Sequence, residues 1–157
     1  MLPLNLPPYT DMRLKPSPTG KTMVLDILRR RYVTLTPEEW VRQHFVNYLV
    51  NHLGYPASLM ANEMELRIGE KRLRCDSVLF AKDKRPVMIM EYKAPEITIT
   101  ENVFRQILAY NTLLGVEFLV MSNGLQHIIM HLDKTLGKWV YLPEMPQYQE
   151  LSTILQD

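Results

Sequence analysis

R-C-D-S-V-L-F-A-K-D-K-R-P-V-M-I-M-E-Y-K, residues 74–93, is the stretch that decides how this chain folds. Two apolar runs, Ser77 to Ala81 and Val87 to Met90, flank a charged turn at Lys82–Pro86. Short hydrophobic runs on either side of a polar turn that holds a proline predict a β-hairpin. Asp76 opens the first strand, and Glu91 and Lys93 close the second. In an antiparallel pair the start of one strand lies beside the end of the other, so the three charged groups converge at one end of an apolar sheet. Glu91 and Lys93 are two apart and share a strand face, while Tyr92 points to the other. Carboxylates on adjacent strands can hold a hard divalent cation such as Mg²⁺. An ammonium beside them can hold an attacking water or neutralise charge building on a phosphate. That set suits metal-assisted hydrolysis of a phosphodiester. An E-x-K triplet by itself is more often a solvated ion pair on a sheet rim, so the flanking chain has to supply the context.

Upstream, Leu59–Ile68 alternates loosely and ends at Gly69-Glu70-Lys71, a hairpin turn. It supplies a first strand feeding into the strand of Asp76, which makes a three-stranded meander. Glu63 and Glu65 share one face of that strand and are expected to face solvent, the alternative being that one of them approaches the site. Before it, Thr36-Pro37-Glu38-Glu39 is a helix start, with Thr36 as N-cap, Pro37 at the first position and Glu39 completing a capping box. The helix runs to about Leu53, where Gly54 stops it. Its apolar stripe is Val41, Phe45, Tyr48, Leu49 and His52. Advancing 100° per residue puts Glu38 at the edge of that stripe and Glu39 away from it, so Glu39 is expected to cap the helix and Glu38 to point toward whatever the helix packs on, as a third carboxylate if that is the end of the sheet with Asp76 and Glu91; the alternative is that both acids only favour the helix N-terminus electrostatically.

Downstream, Ala94-Pro95 ends the strand, and Thr100 caps a second helix from Glu101 to about Leu114. Gln106 and Tyr110, four apart, share a face of it. Val116–Met121 reads as a buried strand which, after a right-handed crossover, lies parallel to the Glu91 strand. Leu125–Leu132 and Lys138–Leu142 form a final hairpin. His127, His131, Trp40 and Trp139 read as packing or solvated residues, and Cys75 as a small buried hydrophobe. Residues 1–21 carry five prolines and are expected to be extended and irregular. Residues 23–33 fit either a helix turn or two short strands. Residues 22–145 form the domain and 146–157 a tail with a short helical end.

At 157 residues the chain is one domain with room for a real core. A net charge of +1 gives no overall pull toward nucleic acid, so such binding would rest on local patches. Candidates for phosphate contact are Lys71, Arg72, Arg74, Lys82, Lys84 and Arg85. One cysteine excludes an intramolecular disulfide and a cysteine metal cluster. No apolar run reaches transmembrane length, and the N-terminus lacks a signal-peptide core, so a cytoplasmic protein is expected.

The ordered set T-P-E-E-W-V-R-Q (36–43), R-C-D-S-V-L-F (74–80), V-M-I-M-E-Y-K-A-P (87–95), Q-I-L-A-Y-N (106–111) and M-S-N-G (121–124) resembles the PD-(D/E)xK nuclease superfamily. Within it, the set is most similar to the N-terminal domain of type I restriction enzyme R subunits. The resemblance implies an α/β fold with a restriction-endonuclease-like core (helix, three-stranded antiparallel meander, helix, strand), to which this chain adds a C-terminal β-hairpin. It implies Asp76 and Glu91 as ligands of Mg²⁺ or Mn²⁺, Lys93 as catalytic lysine, Glu38 as the acid of the first helix, and Gln106 and Tyr110 as the Q-x-x-x-Y element. DNA is the implied substrate, with other restriction-modification subunits as partners. Cys75 stands where the superfamily's motif has proline. The chain holds no Walker A sequence, so it is expected to be a stand-alone nuclease, part of a larger system, or a partner of separately encoded subunits. The rival readings are a catalytically silent nucleic-acid-binding or assembly module on the same fold, and a small α/β domain whose charges only pair with one another.

Overall fold

The computed structural model describes residues 1–155, apart from the side chains of 110–113. A six-stranded sheet is built from β4 (Met60–Ile68), β5 (Lys71–Phe80), β6 (Pro86–Tyr92), β7 (Phe118–Ser122), β8 (His127–Asp133) and β9 (Lys138–Leu142), neighbours in that order. All neighbours are antiparallel except β6 and β7, which are parallel because the helix α2 (Glu101–Leu114) carries the chain back between them. The meander, the crossover helix and the final hairpin follow the sequence pattern closely.

The two faces are read from strand alternation. On β6, Met88, Met90 and Tyr92 enter one buried cluster with Val41, Phe45 and Leu49 of α1 (Pro37–Asn47). Ile89 enters the other with Phe104 and Ile107 of α2. On β7, Phe118 and Val120 face α1, and Leu119 and Met121 face α2. Helices therefore cover both sides of the sheet centre, which explains why β7 is buried at every position and apolar at all but Ser122. The C-terminal helix α3 (Tyr148–Leu155) closes the α1 face: Leu151 is fully buried and the Tyr55 hydroxyl donates to the Pro146 carbonyl at 2.9 Å.

The N-terminal third is more ordered than its prolines suggest. β1 (Leu14–Pro16), β2 (Thr22–Asp26) and β3 (Arg31–Thr34) form a separate three-stranded antiparallel sheet. Pro16 is tolerated because it ends an edge strand. The preceding residues strap α1: the Trp40 indole donates to the Leu2 carbonyl at 2.9 Å, and the Asn5 amide to the Gly124 carbonyl at 2.8 Å. His127 fixes the same strap, its Nε2 bonding the Asn5 carbonyl and its Nδ1 the Ser122 hydroxyl.

α1 departs from the expected stripe. After Asn47 the helix widens, and the Leu53 amide reaches back five residues to the Tyr48 carbonyl. A wide turn shifts the helical phase, which leaves His52 exposed and not on the buried stripe.

Gly124 packs under the N-terminal strap at φ +86°, where a Cβ would come within 2.6 Å of Leu4 Cδ2 and 3.2 Å of Val41 Cγ2. Gly124→Ala is expected to cost about 1–3 kcal/mol through strain and crowding. Urea denaturation checks this, and an unchanged midpoint would contradict it.

Candidate functional site

The antiparallel register pairs Ser77 with Met90, so one step further Asp76 lies opposite Glu91, at the end of β6. The Tyr92 amide donates to the Asp76 carboxylate at 2.9 Å. The register sets the two carboxyl groups side by side at this end of the sheet. Burial pushes the Glu91 carboxyl up to about 9, the Asp76 charge adds to the rise, and Lys93 pulls the other way. The cause is plain physics: adjacent carboxylates in a partly dehydrated place cannot both ionise without a counter-charge. Lys93 is held at the β6–β7 junction, where its amide donates to the Ser122 carbonyl at 2.9 Å. The hairpin register thus sets Asp76 opposite Glu91, and the Lys93 charge acts on Glu91.

A local irregularity helps to place Asp76. Cys75 and Val78 both pack on the α2 side, which strict alternation forbids. The switch falls at Asp76, opposite Glu63, whose backbone is left-handed at φ +55°. For a non-glycine residue that conformation is held only by its surroundings. Here the surroundings are ionic: the Glu63 carboxylate takes Arg42 Nη1 and Arg74 Nε, each at 2.7 Å. Cys75 is buried, and its thiol is pushed up to about 12 by burial and by the Glu91 and Asp76 charges, which makes it an inert neighbour.

Glu38 and Glu39 exchange their expected places. Glu38 is exposed, and Glu39 is 4% exposed. Helical periodicity misleads here because α1 is covered on nearly every side, by the large sheet, the N-terminal strap and the small sheet. Thr36 does cap the helix, accepting the Glu39 amide at 3.1 Å. The Glu39 carboxylate instead takes Arg42 Nε at 2.7 Å and Nη2 at 2.8 Å, Arg29 Nη2 at 2.6 Å and Gln43 Nε2 at 3.0 Å. These donors hold it below the usual carboxylate range despite burial. Arg42 Nη1 continues to the Asp76 carbonyl at 3.1 Å.

Gln106 lies on α2 with its side chain exposed, and the Tyr110 side chain lies outside the described residues. Arg72 and Arg74 are exposed on β5 near Asp76 and pair with Glu65 and Glu63; Lys71 lies at the hairpin tip. Lys82, Lys84 and Arg85 sit at the far end of β5 and β6, six or more residues from Asp76, roughly 20 Å at the strand rise. They cannot share one phosphate with the carboxylate pair. Arg85 instead pairs with buried Glu117, as does Lys134. A broad cavity of about 760 Å³, lined by Pro56, Leu59, Arg85 and Tyr148, also lies at that far end.

The donor set fits a hard cation: two oxygen-bearing groups, one of which is driven toward protonation by burial and by its neighbour's charge. Among the described residues no group of three or more His, Cys, Asp or Glu could hold a metal, so the pair would leave most coordination positions to water, backbone or substrate.

With this geometry in place, comparison with known proteins is informative. A family profile described as the type I restriction enzyme R protein N terminus matches residues 37–146, well over half of the chain. Among solved structures, a fragment described as an HsdR subunit of a type I restriction enzyme from Vibrio vulnificus has a similar fold, with a TM-score of 0.55 and 21% identity. The match covers 77% of this chain and 25% of that one, so this chain spans about a quarter of that protein's solved length. No curated protein sequence matches. No helix among the described residues is long and apolar enough to cross a membrane.

The raised Glu91 value gives a signed pH dependence. Because the folded value lies above the ordinary 4.5, its contribution to stability is fully present below about 4.5 and is lost as pH rises through about 9. In chelator, the denaturation midpoint of Glu91→Gln is expected to gain on that of the unaltered chain as pH rises across this window. Parallel profiles would contradict the assignment.

Proposed function

This chain belongs to the type I restriction enzyme R protein N-terminus family, and from that premise we propose that it is a metal-dependent DNA endonuclease domain of the PD-(D/E)xK kind. The observation that carries the reading is the register that sets Asp76 opposite Glu91 at the end of β6, with the Lys93 charge near enough to act on Glu91. The order of α1, the β4–β6 meander, α2 and the parallel strand β7 supports a restriction-endonuclease-like core.

Asp76 and Glu91 would hold Mg²⁺ or Mn²⁺. Bound there, the cation would polarise a phosphoryl oxygen and lower the pKa of a coordinated water. The chain's own groups do the rest. The Tyr92 amide keeps one Asp76 oxygen turned inward. Lys93 orients the attacking water or offsets charge developing on the phosphate. Gln106, exposed on α2, would contact the DNA backbone, together with Arg72 and Arg74, exposed on the β5 strand that carries Asp76. Such contacts position DNA without reading its sequence and weaken with salt. The substrate would be DNA, the partners the other subunits of a restriction-modification system, and the place of action the cytoplasm.

A silent binding or assembly module on the same fold is the second reading. It is favoured by the lack, among the described residues, of a third carboxylate or histidine completing a metal cluster. Cleavage of supercoiled plasmid with Mg²⁺ or Mn²⁺ separates the two. Cutting by the unaltered chain, reduced at least ~100-fold in Asp76→Ala and Lys93→Ala, is expected. Activity retained in purified Asp76→Ala would overturn the site assignment, and no cutting by the unaltered chain would favour the silent module.

A further inference from the structure

Asp26 is fully buried, at the end of β2 in the small N-terminal sheet, ahead of the residues that match the family. A buried carboxylate needs partners, and the partners of Asp26 lead in two directions. Its Oδ1 accepts the Leu28 amide at 2.8 Å and the Arg29 amide at 2.9 Å. Its Oδ2 accepts Arg29 Nε at 2.6 Å and Asn62 Nδ2 at 2.9 Å.

From Arg29 the first path runs through Glu39 to Arg42, and Arg42 donates to the Asp76 backbone carbonyl. From Asn62 the second runs through the Ser77 hydroxyl, 2.5 Å from Asn62 Oδ1, to the Tyr92 hydroxyl, 2.9 Å from Ser77. Tyr92 stands between Glu91 and Lys93, and its amide also donates to the Asp76 carboxylate. The two paths therefore end on the two strands that carry the site. Every side chain along them is largely buried; Arg29, the most open, has a side chain 15% exposed. Both paths lie on the α1 side of the sheet, behind the face that presents Glu91.

We propose that Asp26 is a positioning residue for the site, a node on the N-terminal sheet that fixes the Asp76 strand through Arg29, Glu39 and Arg42 and the Glu91–Lys93 strand through Asn62, Ser77 and Tyr92. The inference rests on the metal-site reading of Asp76 and Glu91. Asp26 touches neither carboxylate and acts by holding their backbones in register. Partners one step behind metal ligands commonly set affinity by orienting them.

Calorimetric titration with Mn²⁺ tests this on the whole chain, on Asp26→Asn, on Tyr92→Phe and on Tyr55→Phe. Tyr55→Phe also removes one buried hydroxyl hydrogen bond, but at the Pro146 end of the fold, so it reports the effect of general weakening. Asp26→Asn and Tyr92→Phe are each expected to weaken Mn²⁺ binding by about tenfold, and Tyr55→Phe to leave it unchanged. Unaltered affinity in folded Asp26→Asn and Tyr92→Phe would overturn the proposal while leaving the metal site standing. An equal loss in Tyr55→Phe would overturn it too, by making the effect one of stability. If Asp26→Asn does not fold, Tyr92→Phe, which deletes one oxygen at the other end of the same path, decides by itself. Absence of Mn²⁺ binding by the unaltered chain would remove the metal reading, and this inference with it.

Discussion

Two carboxyl groups set opposite each other at the rim of an apolar sheet call for a proton or a cation between them, and that requirement organises this molecule. Asp76 and Glu91 are brought together by strand register alone, since β5 and β6 are antiparallel and each residue stands where its own strand emerges from the core. The rise of the Glu91 carboxyl to about 9 states the requirement in energetic form. A fold under selection only for stability would place an apolar or neutral side chain at one of these positions, because like charges side by side disfavour the folded state. Retaining both makes sense where positive charge arrives with a ligand.

The rest of the structure can be seen as support for that unfavourable pair. Apolar clusters on both faces of the sheet fix the strands. Behind the site, the carboxylates of Asp26, Glu39 and Glu63 interleave with the guanidiniums of Arg29, Arg42 and Arg74. The charges balance three against three, with Arg74 exposed at the outer end, and the pairing lets the buried members stay ionised. The left-handed backbone at Glu63 is held by the same network, and it lies across from Asp76 at the point where strand alternation switches. Strain of this kind persists where neighbours over-determine it.

Much of this was legible in the sequence, for local reasons. Alternation and turn chemistry predict β4 to β6; Thr36 and Thr100 mark the helix starts; the separation of Asp76 from Glu91 across one tight hairpin brings them together. What was not legible depends on tertiary cover. Glu38 and Glu39 cannot be told apart by a helical wheel when the helix is enclosed nearly all round, and the wide turn at Tyr48–His52 then moves His52 off the stripe. Residues 23–33 fit two short strands as well as a helix turn, and what the pattern did not show is that they dock behind the site, although one signal was present: Asp26 inside V-L-D-I-L is an acid in an apolar run, and such an acid is buried only with partners. The basic residues at 82–85 looked equivalent to those at 71–74 by composition, and only strand length separates the two groups.

Anomalous diffraction from crystals soaked in Mn²⁺ tests the central claim most directly. The account predicts one strong peak between the Asp76 and Glu91 carboxylates, on the sheet face shared with Lys93. No peak there, with the two carboxyl groups still side by side and sharing a proton, would contradict it.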